Sequence, residues 1–277
     1  MCRWLAYSGS PIRLDELLYK PQHSLIDQSL HSRLGVETTN GDGFGVGWYG
    51  IDVPTPTLFR GVGPAWSDAN LREVSRSVSS PLFLAHIRAS TGTAVQQTNS
   101  HPFRYERWLW VHNGSVREFP TLRRDLTFAV DRSLYPSIAG STDSEVMFFL
   151  ALTFGLQDDP ILAVERMVGF IESVGQRHGV ARPLQMTVGT TDGDRTWAFR
   201  YSSERNSRSL YFSTAVSALR DQYPDNENLH RLSDETRIVV SEPLSELEGA
   251  WQPIPECGYG VVQKGADWLG RFQPKAP

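Results

Sequence analysis

Ser141-Thr-Asp-Ser-Glu-Val-Met-Phe-Phe-Leu-Ala-Leu-Thr-Phe-Gly-Leu156 is the stretch on which the fold class turns. Thr142 and Glu145 stand at capping-box spacing directly ahead of the apolar run, so a helix is predicted to start there and reach Leu156. At Pro160 a second helical pattern opens, with apolar residues at 164, 167, 168, 171 and 174, the spacing of one buried face. Two long helices therefore follow each other with no strand between them. A doubly wound parallel sheet needs strand–helix–strand crossovers, so this order favours antiparallel sheets with helices layered outside, an α+β arrangement.

The segments around these helices read as strands in groups. Downstream, Leu184 to Gly189, Thr196 to Tyr201, Ser209 to Ser213 and Arg237 to Val240 have strand character, and Asp192-Gly193 between the first two is a hairpin signal. From Glu242 onward proline and glycine are frequent, and the expectation is a surface wrap. Upstream, Arg3 to Ser8, Leu82 to Arg88 and Trp108 to His112 read as strands, with helices over Leu14 to Tyr19, Asn70 to Val78 and Thr121 to Leu126. Residues 53–57, with Pro54 and Pro56, read as a loop. Glycines alternate at 41, 43, 45 and 47, which leaves one face of a strand bare for close approach of a backbone or ligand. They are not a dinucleotide loop, because the third glycine of G-x-G-x-x-G would fall on Val46.

The 277 residues suffice for one domain, 1–277, with motifs concentrated in 1–160 and a helix, a meander and the wrap in 161–277. A net charge of −4, with lysines only at 20, 264 and 275, argues against nucleic acid or an anionic membrane surface as partner. The longest apolar run, Met147 to Leu156, is too short to span a bilayer. Cys2 and Cys257 sit at opposite ends, giving neither a disulfide framework nor a metal-ligand cluster; no metal and no cofactor are expected. Without a signal peptide at the N-terminus, a cytoplasmic location is expected.

Position 2 carries one of the two cysteines. Trimming of Met1 would leave Cys2 with a free α-amine, and such a thiol carries its own base. On its own a Met-Cys start is more often accident. Four other polar spots each have a bland reading: His112-Asn113-Gly114 as a hairpin turn, Arg88 as a rim ion pair, Asp143 as part of a helix cap, His101 before Pro102 as a turn residue. The alternatives are an oxyanion hole from the Asn113 amide and Gly114 N–H, a grip on a carboxylate by Arg88, and a seat for an ammonium on Asp143. Together the set fits the γ-amide of a glutamate-type amino acid.

Met1-Cys2, Asn40-Gly-Asp-Gly-Phe-Gly-Val-Gly-Trp48, His86-Ile-Arg88-Ala-Ser-Thr91, Asn99-Ser-His101-Pro102, His112-Asn-Gly114 and Ser141-Thr-Asp143-Ser-Glu145 resemble, in the same order, the motifs of class II glutamine amidotransferases. Val240-Ser-Glu-Pro-Leu244 and Trp251-Gln-Pro-Ile-Pro255 resemble the stand-alone branch, which includes γ-glutamyl hydrolases of ergothioneine biosynthesis and glutathione breakdown. The resemblance implies an N-terminal-nucleophile hydrolase fold, a four-layer αββα sandwich with two antiparallel sheets. It implies Cys2 as nucleophile, Asn113 and Gly114 as oxyanion hole, Arg88 and Asp143 on the α-carboxylate and α-amine, and Thr91 and His101 lining the pocket. Glutamine or a γ-glutamyl compound would be the small-molecule substrate, cleaved through a thioester to glutamate and ammonia or an amine. Three alternatives stay open: a glutaminase subunit that feeds a partner synthase or hydrolase subunit, a silent glutamine-binding module, and an N-terminal-cysteine acylase for other amides.

Overall fold

The computed structural model describes residues 2–31, 33, 39–51, 53–90 and 92–277. In chain order the first elements are β1 (Arg3–Arg13), α1 (Asp15–Leu18), α2 (Leu25–Leu30), β2 (Phe44–Gly50), β3 (Val53–Gly61), α3 (Ala69–Ser77) and β4 (Ser79–Ile87). Next come β5 (Phe103–Tyr105), β6 (Trp108–Val116), α4 (Phe119–Phe128), α5 (Asp143–Thr153), α6 (Pro160–Arg177), β7 (Leu184–Thr191) and β8 (Thr196–Ser202). The last are β9 (Tyr211–Ser213), α7 (Val216–Gln222), α8 (Glu227–His230), β10 (Arg237–Val240), β11 (Trp251–Pro253), β12 (Gly258–Gln263) and β13 (Ala266–Arg271). Among the described residues the strands form two antiparallel sheets, ordered β11-β9-β10-β1-β4-β2-β3 and β13-β12-β8-β7-β6-β5.

Side-chain alternation sorts each strand onto two faces. In β1, Leu5 and Tyr7 join Leu17, Leu18, Leu25, Ile26 and Leu71 of α1, α2 and α3 in one apolar cluster. Trp4 and Ala6 join Leu82 and Leu84 of β4 with Leu109 and Val111 of β6 in another, between the sheets. The opposite face of β6, Trp108 and Trp110, packs with α4, α5 and α6. The layers are thus helix, sheet, sheet, helix, the four-layer α+β sandwich expected. In α6 the predicted residues Val164, Met167, Val168, Ile171 and Val174 are all fully buried. Each such side chain contributes about 1.5–3 kcal/mol, against tenths for intrinsic propensity, so packing decides this helix.

The alternating glycines of β2 do what a bare face allows. A Cβ at Gly45 would stand 2.2 Å from the His101 carbonyl, and one at Gly47 would stand 2.9 Å from the Leu109 side chain. The His101 backbone and the Leu109 side chain, rather than a ligand, fill that face. Three segments depart from the sequence reading. Residues 53–57 are strand, not loop: β3 is a sheet edge, where proline's missing N–H costs no ladder bond. The segment after Glu242 supplies β11, β12 and β13 instead of a wrap, with β12 paired to β8 and β13 to β12. Asn113-Gly114 is not a hairpin turn, since β6 runs straight through it with Asn113 opposite Thr187 and Gly114 opposite Met186.

Candidate active site

Cys2 lies just ahead of β1, whose Arg3 pairs with Ile87 of β4, so the chain leaving β4 passes beside it. The Cys2 thiol is within 3.5 Å of the Ala89 carbonyl, and the Ala89 N–H donates to Sγ at 3.4 Å. Burial pushes the thiol up; the Ala89 N–H and the Arg88 charge pull it down, and Asp143 pushes it up again. Both Arg88 and Asp143 therefore lie within electrostatic reach of the sulfur.

Arg88 is buried, and no carboxylate holds it among the described residues. Its Nη1 donates to the Asp42 carbonyl at 3.1 Å. Its Nη2 donates to Ser90 Oγ at 3.2 Å, Thr93 Oγ1 at 2.7 Å and the Ala94 carbonyl at 3.1 Å. The guanidinium braces the loop after β4, with the Nε–H making no hydrogen bond among the described residues. Asp42 adds to the brace by accepting the Ser90 N–H at 2.7 Å. Asn99 ties this loop to the next: its Nδ2 donates to the Ala94 carbonyl at 2.9 Å and its Oδ1 accepts the Ser141 N–H at 2.8 Å.

That second loop leads into α5. Thr142 Oγ1 accepts the Glu145 N–H at 3.2 Å, so the cap falls where the sequence put it. Only half of a capping box forms, because the Glu145 carboxylate accepts the Ala139 and Gly140 N–H groups instead. Asp143 is partly committed: one oxygen accepts the Val116 N–H at 2.7 Å and the other the Ser144 N–H at 2.7 Å. A carboxylate has acceptor positions beyond these two.

The sheets meet above this group. Trp4 Nε1 donates to Thr187 Oγ1 at 3.1 Å, and Thr187 Oγ1 donates to the Asn113 carbonyl at 3.4 Å. Asn113 and Cys2 therefore sit at the same end of the inter-sheet space. The Asn113 side chain is 3% exposed and makes no hydrogen bond among the described residues. Gly114 has φ +155, and a Cβ there would stand 2.0 Å from the Gln185 carbonyl, so the position accepts only glycine. Strand β5 pairs only with Trp108 to Trp110, and the next edge carbonyl, His112, accepts from His86 Nε2 at 3.2 Å.

His101 stacks on His86 with ring centroids 4.1 Å apart, and neither ring nitrogen of His101 has a partner among the described residues. Burial holds His101 well below the ordinary imidazole range and His86 down to about 3, with neighbouring positive charge adding to both. His112 is also lowered by burial, against an upward pull from Asp143, and shares a 2.8 Å hydrogen bond with Ser144 Oγ. Thr91, the remaining expected pocket residue, lies outside the described residues, as does Met1.

The candidates named from the sequence, Cys2, Arg88, His101, Asn113, Gly114 and Asp143, lie together at one end of the two sheets. The sequence reading gives no part to Asp42, Ser144 and Thr187, which touch this group through partners in remote segments. Among the described residues no three His, Cys, Asp or Glu side chains converge as a metal site, and no helix is long and apolar enough to cross a membrane.

Residues 21–273 match the family model of class-II glutamine amidotransferases. The probable glutamine amidotransferase DUG3 of Saccharomyces cerevisiae is 32% identical, over 95% of this chain and 82% of its own length. A gamma-glutamyl-hercynylcysteine sulfoxide hydrolase of Mycobacterium tuberculosis is 32% identical, with 100% of both chains covered. The solved structure of a glutamine aminotransferase class-II domain protein from Silicibacter pomeroyi superposes with a TM-score of 0.76 at 32% identity, over 99% of this chain and 100% of that one. Glutamine phosphoribosylpyrophosphate amidotransferase from Bacillus subtilis, at 14% identity and a TM-score of 0.65, shares the fold over 99% of this chain and 50% of its own.

Proposed function

The chain belongs to the class-II glutamine amidotransferase family, an enzyme family, and from that premise we propose that Cys2, freed of Met1, is the nucleophile of a γ-glutamyl amide hydrolase. The observation that carries the reading is the placement of the Cys2 sulfur on the Ala89 backbone, within electrostatic reach of Arg88 and Asp143.

In the proposed reaction the α-amine of Cys2 takes the thiol proton, and Sγ attacks the γ-carbonyl of glutamine or a γ-glutamyl compound. The oxyanion is met by the uncommitted Asn113 amide and the Gly114 N–H. Backbone groups alternate along a strand, so the Gly114 N–H points to the edge where the His112 carbonyl meets His86, beyond the reach of β5. The amine passes its proton to the leaving group, ammonia or an amine departs, and water cleaves the thioester to release glutamate. Arg88 supplies positive field and its Nε–H to the substrate carboxylate, Asp143 supplies residual acceptor capacity to the substrate ammonium, and Thr91 and His101 line the pocket.

The name of one relative, the gamma-glutamyl-hercynylcysteine sulfoxide hydrolase, supports a γ-glutamyl compound as substrate, while that of DUG3, a probable glutamine amidotransferase, keeps glutamine beside it. The test is intact-mass and peptide-mass analysis after exposure to a γ-glutamyl diazo ketone. One adduct on Cys2 of a chain lacking Met1 is expected, with loss of all turnover in Cys2→Ala. An unmodified Cys2, or turnover retained in Cys2→Ala, would sink the assignment.

A further inference from the structure

We propose that Arg3 and Glu242 form a buried clamp that sets the orientation of Cys2, as positioning residues of the reaction. The inference rests on Cys2 being the nucleophile, as read above.

A nucleophile at the start of a chain has a mechanical problem. No peptide bond precedes it, and its amine and thiol are both committed to chemistry. Its carbonyl is the one backbone group left to hold it. Here Arg3 Nη1 donates to the Cys2 carbonyl at 3.0 Å, while Arg3 Nε donates to Glu242 Oε2 at 2.9 Å. Both side chains of the ion pair are 2% exposed. The plane of the Cys2–Arg3 peptide is therefore tied to a carboxylate 239 positions away in sequence.

That carboxylate is itself held. Glu242 Oε1 accepts from His23 Nε2 at 2.5 Å and from the Arg33 N–H at 2.9 Å. The Glu242 carbonyl accepts from Gln28 Nε2 at 3.2 Å. One residue earlier, the Ser241 N–H donates to the Trp4 carbonyl and the Trp4 N–H to Ser241 Oγ, both at 3.0 Å. The start of β1 is thus pinned at residues 3 and 4 by one segment, Ser241-Glu242, which reaches Cys2 through Arg3. Rotation about the Cys2–Arg3 link would swing the amine and sulfur together away from Asn113, Arg88 and Asp143. The planar fork of arginine suits a bridge between two fixed oxygens, which lysine would span less well. An ion pair this deeply buried is weak evidence for stability, because desolvation offsets the attraction, so a geometric role accounts better for its presence.

The experiment compares wild type with Arg3→Ala, Arg3→Lys and Glu242→Gln, and with Asp267→Asn, which breaks the half-buried Arg237–Asp267 pair away from the site. Intact mass reports Met1 removal and thermal melting reports folding. Steady-state kinetics use a γ-glutamyl anilide; alkylation of Cys2 is timed with the γ-glutamyl diazo ketone and with iodoacetamide. Trimmed, folded Arg3→Ala should lose roughly 100-fold in kcat and Glu242→Gln roughly 10-fold, with KM within about two-fold and Arg3→Lys between Arg3→Ala and wild type. Diazo-ketone inactivation should slow in parallel while iodoacetamide alkylation stays within about two-fold, and Asp267→Asn should match wild type. Wild-type kcat in a trimmed, folded Glu242→Gln overturns the clamp, and so does a loss that Asp267→Asn reproduces. If the diazo ketone fails to label Cys2 in the wild type, the nucleophile assignment falls, and the clamp with it.

Discussion

The first residues of β1 divide two regions of opposite character. On the side of Arg3, the polar groups of Arg3, His23, Gln28 and Glu242 are tied to one another and to backbone, across α2 and the segment after β10. On the side of Cys2, the Asn113 amide, His86 Nδ1 and both nitrogens of His101 have no partner among the described residues. Buried polar groups are as a rule satisfied, and leaving one unsatisfied costs about 1–3 kcal/mol. The network around Arg3 satisfies its own buried side chains, whereas the Cys2 side bears the cost of unpartnered ring nitrogens where chemistry needs free groups. The first region holds and the second reacts.

Three measurements sharpen or break this contrast. The largest effect is expected on the reacting side: Asn113→Ala should raise the barrier by about 2.7–4 kcal/mol while leaving the urea midpoint nearly unchanged, because the amide makes no hydrogen bond among the described residues. A drop in stability with kcat intact would reverse the assignment of the two regions. On the holding side, Gln28→Ala should cost about 1–3 kcal/mol of stability, by freeing the carbonyls of His23 and Glu242, with kcat little changed in the folded protein. Equal stability to wild type would show that side to be less tightly tied than drawn.

The third measurement is pH dependence. Burial holds His86 at about 3 and His101 and His112 below the usual 6.5, so all three fold as neutral rings. When the chain unfolds their ordinary values return and the unfolded state binds the extra protons. Their contribution is complete above about pH 6.5 and is lost as pH falls below it, down to about 3 for His86, at up to about 1.4 kcal/mol per pH unit for each ring. Urea midpoints measured at pH 7.5, 6.5 and 5.5 should decline across the last interval; a flat series would contradict buried neutral imidazoles.

Local signals in the sequence announced much of this. The apolar spacing of α6 and the Thr142 cap of α5 are set within a few residues and formed as read. The turn at Asp192-Gly193 joins β7 to β8, and Gly193 takes φ +93. Cys2, Arg88, Asn113, Gly114 and Asp143 were legible as candidates because each sits in a short motif. Less legible was what those groups do in the fold. Arg88 reads as a rim ion pair or a carboxylate grip and braces a loop, while Asp143 reads as free beside the cap and already accepts two backbone N–H groups.

By itself, then, the sequence determined the α+β class, the strand and helix identities with strong periodicity, and the chemical types brought to the site. Tertiary structure alone decided the rest. Asn113-Gly114 would turn in isolation, yet pairing with β7 draws it straight through a strand. The Pro54 and Pro56 segment is a strand only because it lies at an edge, and β12 and β13 exist as strands because β8 offers β12 a ladder and β12 offers one to β13. Arg3 meets Glu242 across 239 positions. Propensity and periodicity reach a turn or two along the chain, whereas pairing register and buried charge pairs depend on which distant segment arrives alongside.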